Sequence, residues 1–261
     1  MKWTDFDHNF CEGFIYDMPE YYNAISSIAM VIFGFIGIFN SFNDFVIKLM
    51  YGILFATGIG SIFYHWFGSI GWALFDEFPM ILIVFISNLY LNEISFYIKS
   101  IYKTVTTIDN IQNAIKICIN CLIMVFFLVS NVMSTSRLYF PLYFAICFVN
   151  LIYQFITLSY QFSKLKLCIE NNIQIIPYAK KYLCFLMLSA LFWILTENSC
   201  KYFKPNSESI FSILYLIGHP MWHITVSYSF YNLLQIILYI KLRLVGNNVK
   251  INEHIGNLYI Y

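Results

Sequence analysis

The chain has 261 residues, 60% of them hydrophobic and only 11% charged, with a formal net charge of +1. An ordinary soluble domain is about a quarter charged, so this chain lacks the polar surface to cover itself in water and reads as a polytopic membrane protein. With no basic tract and almost no net charge, it offers nothing to a nucleic acid.

The first twenty residues carry Asp5, Asp7, Glu12, Asp17 and Glu20. That acidic start excludes a cleavable signal peptide, which needs a basic end and an apolar middle. The segment either solvates as a tail or offers oxygen ligands to a hard cation. The physics of the sequence favours the tail.

A helix needs about 20 mostly apolar residues to cross the hydrocarbon. Seven segments meet that length: 22–40, 49–67, 74–94, 112–132, 139–157, 182–197 and 214–240. Two connections are tight, 68–73 and 133–138, and no internal repeat is present. The expected fold is all-α, a seven-transmembrane-helix bundle in one domain over 1–261. Residues 1–21 form a lumenal or exterior segment and 241–261 a cytosolic tail.

Orientation follows from the loop cations. Lys2, Arg137, Lys201 and Lys204 fall on the side of the amino terminus. Ten fall on the other side: Lys48, Lys99, Lys103, Lys164, Lys166, Lys180, Lys181, Lys241, Arg243 and Lys250. The amino terminus is therefore expected outside the cytosol, which in a eukaryotic cell means the lumen of the endoplasmic reticulum or Golgi.

Seven cysteines are present. Cys118, Cys121, Cys147 and Cys184 lie in apolar runs and read as inert small hydrophobes. Cys168 sits in a polar loop, and Cys11 and Cys200 fall in polar segments on one side of the membrane.

Three polar positions stand out. Ser61-Ile62-Phe63-Tyr64-His65 ends the second span, Asp76-Glu77 opens the third, and His219-Pro220-Met221-Trp222-His223 starts the last. Two histidines four apart share one helical face, so two imidazoles can hold one metal ion. The short 68–73 loop keeps His65 and Asp76 at one depth. Counting back from Lys241 puts His219 and His223 in the same leaflet.

His65, His219 and His223 would be three zinc ligands with a fourth position left for water. Such an ion lowers the pKa of a bound water to about 7 and polarises a carbonyl. Asp76 beside it can carry the proton to a leaving group. Ser61, one turn before His65, either donates to a developing oxyanion or packs helix against helix. Glu77 and Glu197 either orient a histidine or face the headgroups. Gly58, Gly60, Gly68 and Gly71 read as close helix packing and a turn.

These stretches resemble the alkaline ceramidase family, part of a wider superfamily of seven-helix membrane hydrolases that includes the adiponectin-receptor-like proteins. Cys11-Glu12 and Glu20-Tyr21-Tyr22-Asn23-Ala24-Ile25-Ser26 look like the family's C-E and E-[FY]-[FWY]-N-x-[IVL]-S elements. Ser61 to His65 matches S-x-x-x-H, Asp76-Glu77-Phe78-Pro79-Met80 matches D-E-x-P-M, and His219 to His223 matches H-x-x-W-H.

The resemblance implies zinc-dependent hydrolysis of the amide bond of ceramide, a membrane lipid, to a sphingoid base and a fatty acid. It implies His65, His219 and His223 as ligands, Asp76 as proton carrier and Ser61 as oxyanion stabiliser. It further implies a disulfide joining Cys11 to Cys200, which a lumenal compartment permits. A calcium site at Glu12, Glu20 and Asn9 is implied as well. Here the sequence departs from the family's D-W-C-E-x-N, reading Asn9-Phe10-Cys11-Glu12-Gly13-Phe14, with Glu20 eight residues after Glu12 rather than eleven.

A seven-helix receptor or carrier with a structural metal stays open as an alternative. So does a hydrolase acting on another lipid amide or ester.

Overall fold

The computed structural model describes residues 10–16, 18–102, 106–133, 139–165, 175–203, 210–247, 249–254 and 257–260. The described chain is all-α apart from a small carboxyl-terminal hairpin, and it is an integral membrane protein. Among the described residues, six helical stretches are long and apolar enough to span a bilayer. They are Tyr21–Phe39, Phe45–Phe67, Ile70–Ile101, Thr107–Phe127, Leu142–Ser163 and Ile176–Glu197.

The first of these stretches is built from α2 (Tyr21–Ser26) and α3 (Ile28–Phe39), preceded by the short α1 (Cys11–Tyr16). Then come α4 (Phe45–Phe67), α5 (Ile70–Tyr102), α6 (Thr107–Met133) and α7 (Tyr139–Ser163). Last are α8 (Ile176–Phe203) and α9 (Ile210–Leu244). The expected seventh span, 214–240, lies within α9 but is not among those six stretches. Its apolar run is interrupted by Ser227, Ser229, Asn232 and Gln235 as well as by the two histidines. Every one of these is buried, so the polar load faces protein and not lipid.

The chain divides into two compact units. One comprises Met1–Met80, Lys181–Gln235 and Glu253–Tyr259; the other comprises Ile81–Lys180, Ile236–Asn252 and Ile260–Tyr261.

In the first unit, small residues let helices meet backbone to backbone, the usual route to close packing in lipid. A Cβ at Gly34 would sit 2.5 Å from the Phe55 nitrogen, and one at Gly58 would sit 2.7 Å from the Val31 nitrogen. These contacts seat α3 along α4. Gly60 does the same for α4 and α5: a Cβ there would lie 2.3 Å from the Phe75 carbonyl oxygen and 2.9 Å from the Asp76 nitrogen. The absent side chain at Gly60 is what brings Asp76 against the turn that carries Ser61 and His65.

α4 starts where the Asp44 carboxylate accepts the Ile47 N–H at 2.9 Å, a side-chain N-cap. It stops at Gly68, whose φ of 64° places it in the left-handed region that suits glycine. α5 begins two residues later, so the 68–73 loop expected from sequence shrinks to Gly68-Ser69. Asp76 therefore sits in the second turn of a formed helix.

Beyond α9 the chain returns as a hairpin of β1 (Ile251–His254) and β2 (Asn257–Ile260). The Leu258 N–H donates to Asn232 Oδ1 at 2.7 Å, and the Leu258 side chain is fully buried. The expected cytosolic tail thus ends in a strand pair fastened to α9.

The second unit is held by amides. Asn150 Nδ2 donates to Asn88 Oδ1 at 3.1 Å and Gln154 Nε2 to the same oxygen at 3.2 Å, while Asn92 Nδ2 donates to Asn113 Oδ1 at 2.5 Å. Interhelical hydrogen bonds of this kind are each worth about 0.6–2 kcal/mol in a bilayer.

Candidate metal centre

All residues of the expected centre that the structure describes lie in the first unit. His65 on α4 and His219 and His223 on α9 converge until one ligand atom from each lies within 4.8 Å of the others. All three residues are at most 4% exposed. Among the described residues this is the one group of three or more His, Cys, Asp or Glu side chains so arranged.

Each ring is held by its Nδ1 atom from a different element. His65 Nδ1 lies 2.5 Å from Glu20 Oε2. His219 Nδ1 lies 3.0 Å from Glu197 Oε1. His223 Nδ1 lies 2.8 Å from Ser26 Oγ and 3.2 Å from Ser27 Oγ.

An ionised carboxylate only accepts, so His65 and His219 donate from Nδ1 and, when neutral, carry their lone pairs on Nε2. His219 Nε2 lies 3.1 Å from His223 Nε2, and His65 Nε2 is buried with no hydrogen-bond partner. Two lone pairs facing at that distance repel unless a proton or a cation lies between them. Two nitrogens each about 2.0–2.1 Å from one tetrahedral zinc would stand roughly 3.3 Å apart. A buried acceptor left unpaired costs about 1–3 kcal/mol, a cost that coordination removes. The donor set therefore fits a divalent metal, with the carboxylate–histidine partners such sites use.

Asp76 is buried, 8% exposed, and lies within electrostatic reach of the His65 ring. Ser61 is fully buried on the same face of α4 and lies 3.0 Å from Ser27 Oγ. Glu77, next to Asp76, is half-buried. Phe10 closes over the rings, its centroid 4.4 Å from that of His219 and 5.0 Å from that of His65. Trp222, inside the H-x-x-W-H run, packs on Trp193 with centroids 6.0 Å apart.

Glu12 and Glu20, the acidic amino-terminal residues that the structure describes, are built into this centre rather than solvated as a tail. Glu12 accepts from the Tyr22 and Asn23 N–H groups at 2.8 and 2.9 Å, supplying the first turn of α2 with the acceptor it lacks. Burial pushes the Glu12 carboxyl up, against the pull of those two N–H groups. Glu20 holds His65 and also accepts from Asn23 Nδ2 at 3.2 Å, while its own N–H donates to the His65 carbonyl at 2.9 Å. Burial presses the Glu20 carboxyl upward too, but the His65 hydrogen bond and charge overcome it and hold it below its ordinary value. Asn9, the third oxygen donor considered, lies outside the described residues.

Glu197 joins the ends of the chain. Besides His219 it takes the Cys11 N–H at 3.0 Å, and it is only 7% exposed, so interfacial solvation is not its environment. Cys11 Sγ lies 3.4 Å from the Thr196 carbonyl oxygen. Cys200 follows one turn later on α8; its side chain is outside the described residues.

Sequence reasoning left Glu197 between two roles and gave Ser26 and Ser27 none. The signal was a serine pair at the end of a short polar run, Glu20 to Ser27, entering an apolar span. No curated protein matches the chain. A family model described as Ceramidase matches residues 5–256, a range that takes in all three histidines, both serines and every carboxylate described above. The chain thus belongs to the ceramidase family.

Proposed function

We propose that this protein is a zinc-dependent intramembrane amide hydrolase that cleaves ceramide to a sphingoid base and a free fatty acid. The observation that carries the reading is three buried imidazoles with one ligand atom from each within 4.8 Å of the others, and each Nδ1 already committed to an oxygen. Family membership supports the substrate class, because ceramidases are amide hydrolases of a lipid.

When bound, the zinc supplies a Lewis acid that polarises the amide carbonyl and makes water a usable nucleophile near neutral pH. Everything else falls to side chains of this chain. Asp76 accepts the proton of the attacking water and delivers it to the departing amine nitrogen as the C–N bond breaks, which balances the hydrolysis. Ser61 donates to the carbonyl oxygen as negative charge builds there. Glu20, Glu197 and the two serines keep the imidazoles aimed. Phe10 and the surrounding apolar helices exclude bulk water, which strengthens each of these interactions.

The loop cations support a site in the non-cytosolic leaflet, with the lipid entering sideways at headgroup depth. In this reading Glu12 and Glu20 act through the hydrogen bonds they accept from α2 and His65.

The test is product analysis. Purified protein in detergent, incubated with a mixture of ceramides, is expected to release sphingoid base and fatty acid in equal amounts. Release from another lipid amide or an ester, with ceramide untouched, reassigns the substrate. No release from any lipid in a zinc-loaded sample favours a receptor or carrier.

A covalent tie completes the proposal. The approach of Cys11 to the turn before Cys200 supports a disulfide between them, which would pin α1 to α8 beside Glu197. Non-reducing peptide mass spectrometry is expected to find the linked Cys11–Cys200 pair. Recovering both as alkylated free thiols would refute it.

A further inference from the structure

The hydroxyls of Ser26 and Ser27 belong to neither the ligand set nor the proton path, yet both meet His223. They sit where α2 passes into α3, a junction tightened by the Met30 N–H, which donates back only three residues to the Ser27 carbonyl at 3.0 Å. That tightening helps present two consecutive side chains to one ring.

Ser26 Oγ donates to the Asn23 carbonyl at 2.9 Å, which spends its single proton. Toward His223 Nδ1, 2.8 Å away, it can then only accept. With Ser26 accepting, and the Asn23 carbonyl a further acceptor in reach of the ring, His223 is held as the tautomer protonated on Nδ1, with its Nε2 lone pair directed at His219 Nε2. Ser27 Oγ lies 3.0 Å from Ser61 Oγ, 3.2 Å from His223 Nδ1 and 2.8 Å from the Asn23 carbonyl. A carbonyl oxygen takes two donors, so the single Ser27 proton has two acceptors in reach, the Asn23 carbonyl and Ser61 Oγ, and given to Ser61 it leaves Ser27 accepting from His223. Ser61 then keeps its own proton for a substrate oxygen. Ser27 is fully buried, and Ser26 is 9% exposed.

We infer that Ser26 and Ser27 are positioning residues: Ser26 selects the metal-binding tautomer of His223, and Ser27 aims the Ser61 hydroxyl at the substrate. The inference rests on the metal reading of the preceding section and goes beyond it. It assigns two serines one division of labour each, ligand and oxyanion donor, from adjacent positions in one turn.

The test uses the full chain in detergent, with zinc retention measured against a graded chelator and with the visible spectrum of the cobalt-substituted protein. Ser26→Ala is expected to weaken zinc retention by about tenfold, the low end for loss of a ligand's hydrogen-bond partner. It should also shift the cobalt bands, and Ser26→Thr should restore both. Ser27→Ala is expected to hold zinc within about threefold of wild type yet lose about tenfold in kcat at saturating zinc, with KM unchanged. That is a fraction of what losing an oxyanion donor outright costs.

Ser229→Ala is the control. Ser229 is fully buried on the same helix as His223 but bonds the Thr225 carbonyl of its own helix, and neither readout should move. Each change deletes a single oxygen, and thermal unfolding of the metal-free proteins reports whether the fold survives. Equal zinc retention, identical cobalt spectra and equal kcat across wild type and both alanine variants would overturn this inference while leaving the metal reading intact. A wild-type chain that takes up no metal overturns both.

Discussion

His219→Ala is expected to give a protein that retains no zinc through purification and releases no fatty acid from ceramide. The other two imidazoles remain, but His65 and His223 come from different helices, and a pair of ligands without the third cannot hold an ion as a catalytic zinc is held. The loss should far exceed the about 10–100-fold that removal of an outer hydrogen-bond partner costs.

A second consequence follows from Glu197. In the variant its Oε1 loses the His219 Nδ1–H, and a carboxylate 7% exposed keeps the Cys11 N–H at Oε2. A buried charge short of a partner costs about 1–3 kcal/mol or more. The metal-free variant should therefore unfold at lower temperature than the metal-free wild type, and adding Glu197→Gln should recover part of the difference. Metal analysis, a ceramide turnover assay and apo-protein melting curves check the three parts. Zinc held at wild-type stoichiometry by His219→Ala would remove this histidine from the ligand set.

Much of this arrangement was legible in the chain because a bilayer imposes strict rules. About 20 apolar residues must run together to cross it, so segments such as 49–67 and 74–94 show themselves by length alone. In so apolar a chain, polar residues are conspicuous, which is how His65, Asp76 and the His219–His223 pair stood out. Boundaries fared worse. The sixth segment, expected over 182–197, is part of a 28-residue helix running from Ile176 to Phe203. Helices continue past the hydrocarbon into water, where hydropathy no longer marks them. α5 likewise starts at Ile70, four residues before the expected segment, because the Gly68 cap lets a new helix begin at once.

The supporting residues were hardest to read, for a different reason. Glu20 is 45 positions from His65, and Ser26 is 197 from His223. Helical periodicity relates residues within a few turns and says nothing about partners on another span. Glu197 illustrates the point: next to an interface it looks like a solvated acid, and only the fold brings both His219 and the Cys11 N–H to its two oxygens.

Asp76→Asn separates metal binding from chemistry. The amide has nearly the shape of the carboxylate and leaves untouched the atoms that steady the rings, Glu20, Glu197, Ser26 and Ser27. Zinc content should therefore equal that of wild type. Turnover should fall by about 10²–10⁴, the usual contribution of a positioned general base, because an amide cannot take a proton from water at neutral pH.

The fall should appear in kcat with little change in KM, since the lost interaction operates as the proton moves and not as the lipid binds. Gly60 makes the comparison with a larger change instructive. A methyl there would press on the Phe75 and Asp76 backbone and move the carboxylate without altering its chemistry. If Asp76 works through placement, Gly60→Ala should also lower kcat, by less than Asp76→Asn. If instead Asp76→Asn turns over at the wild-type rate with zinc in place, the proton travels by another group. Glu77, one residue on and half-buried, is then the next carboxylate to test.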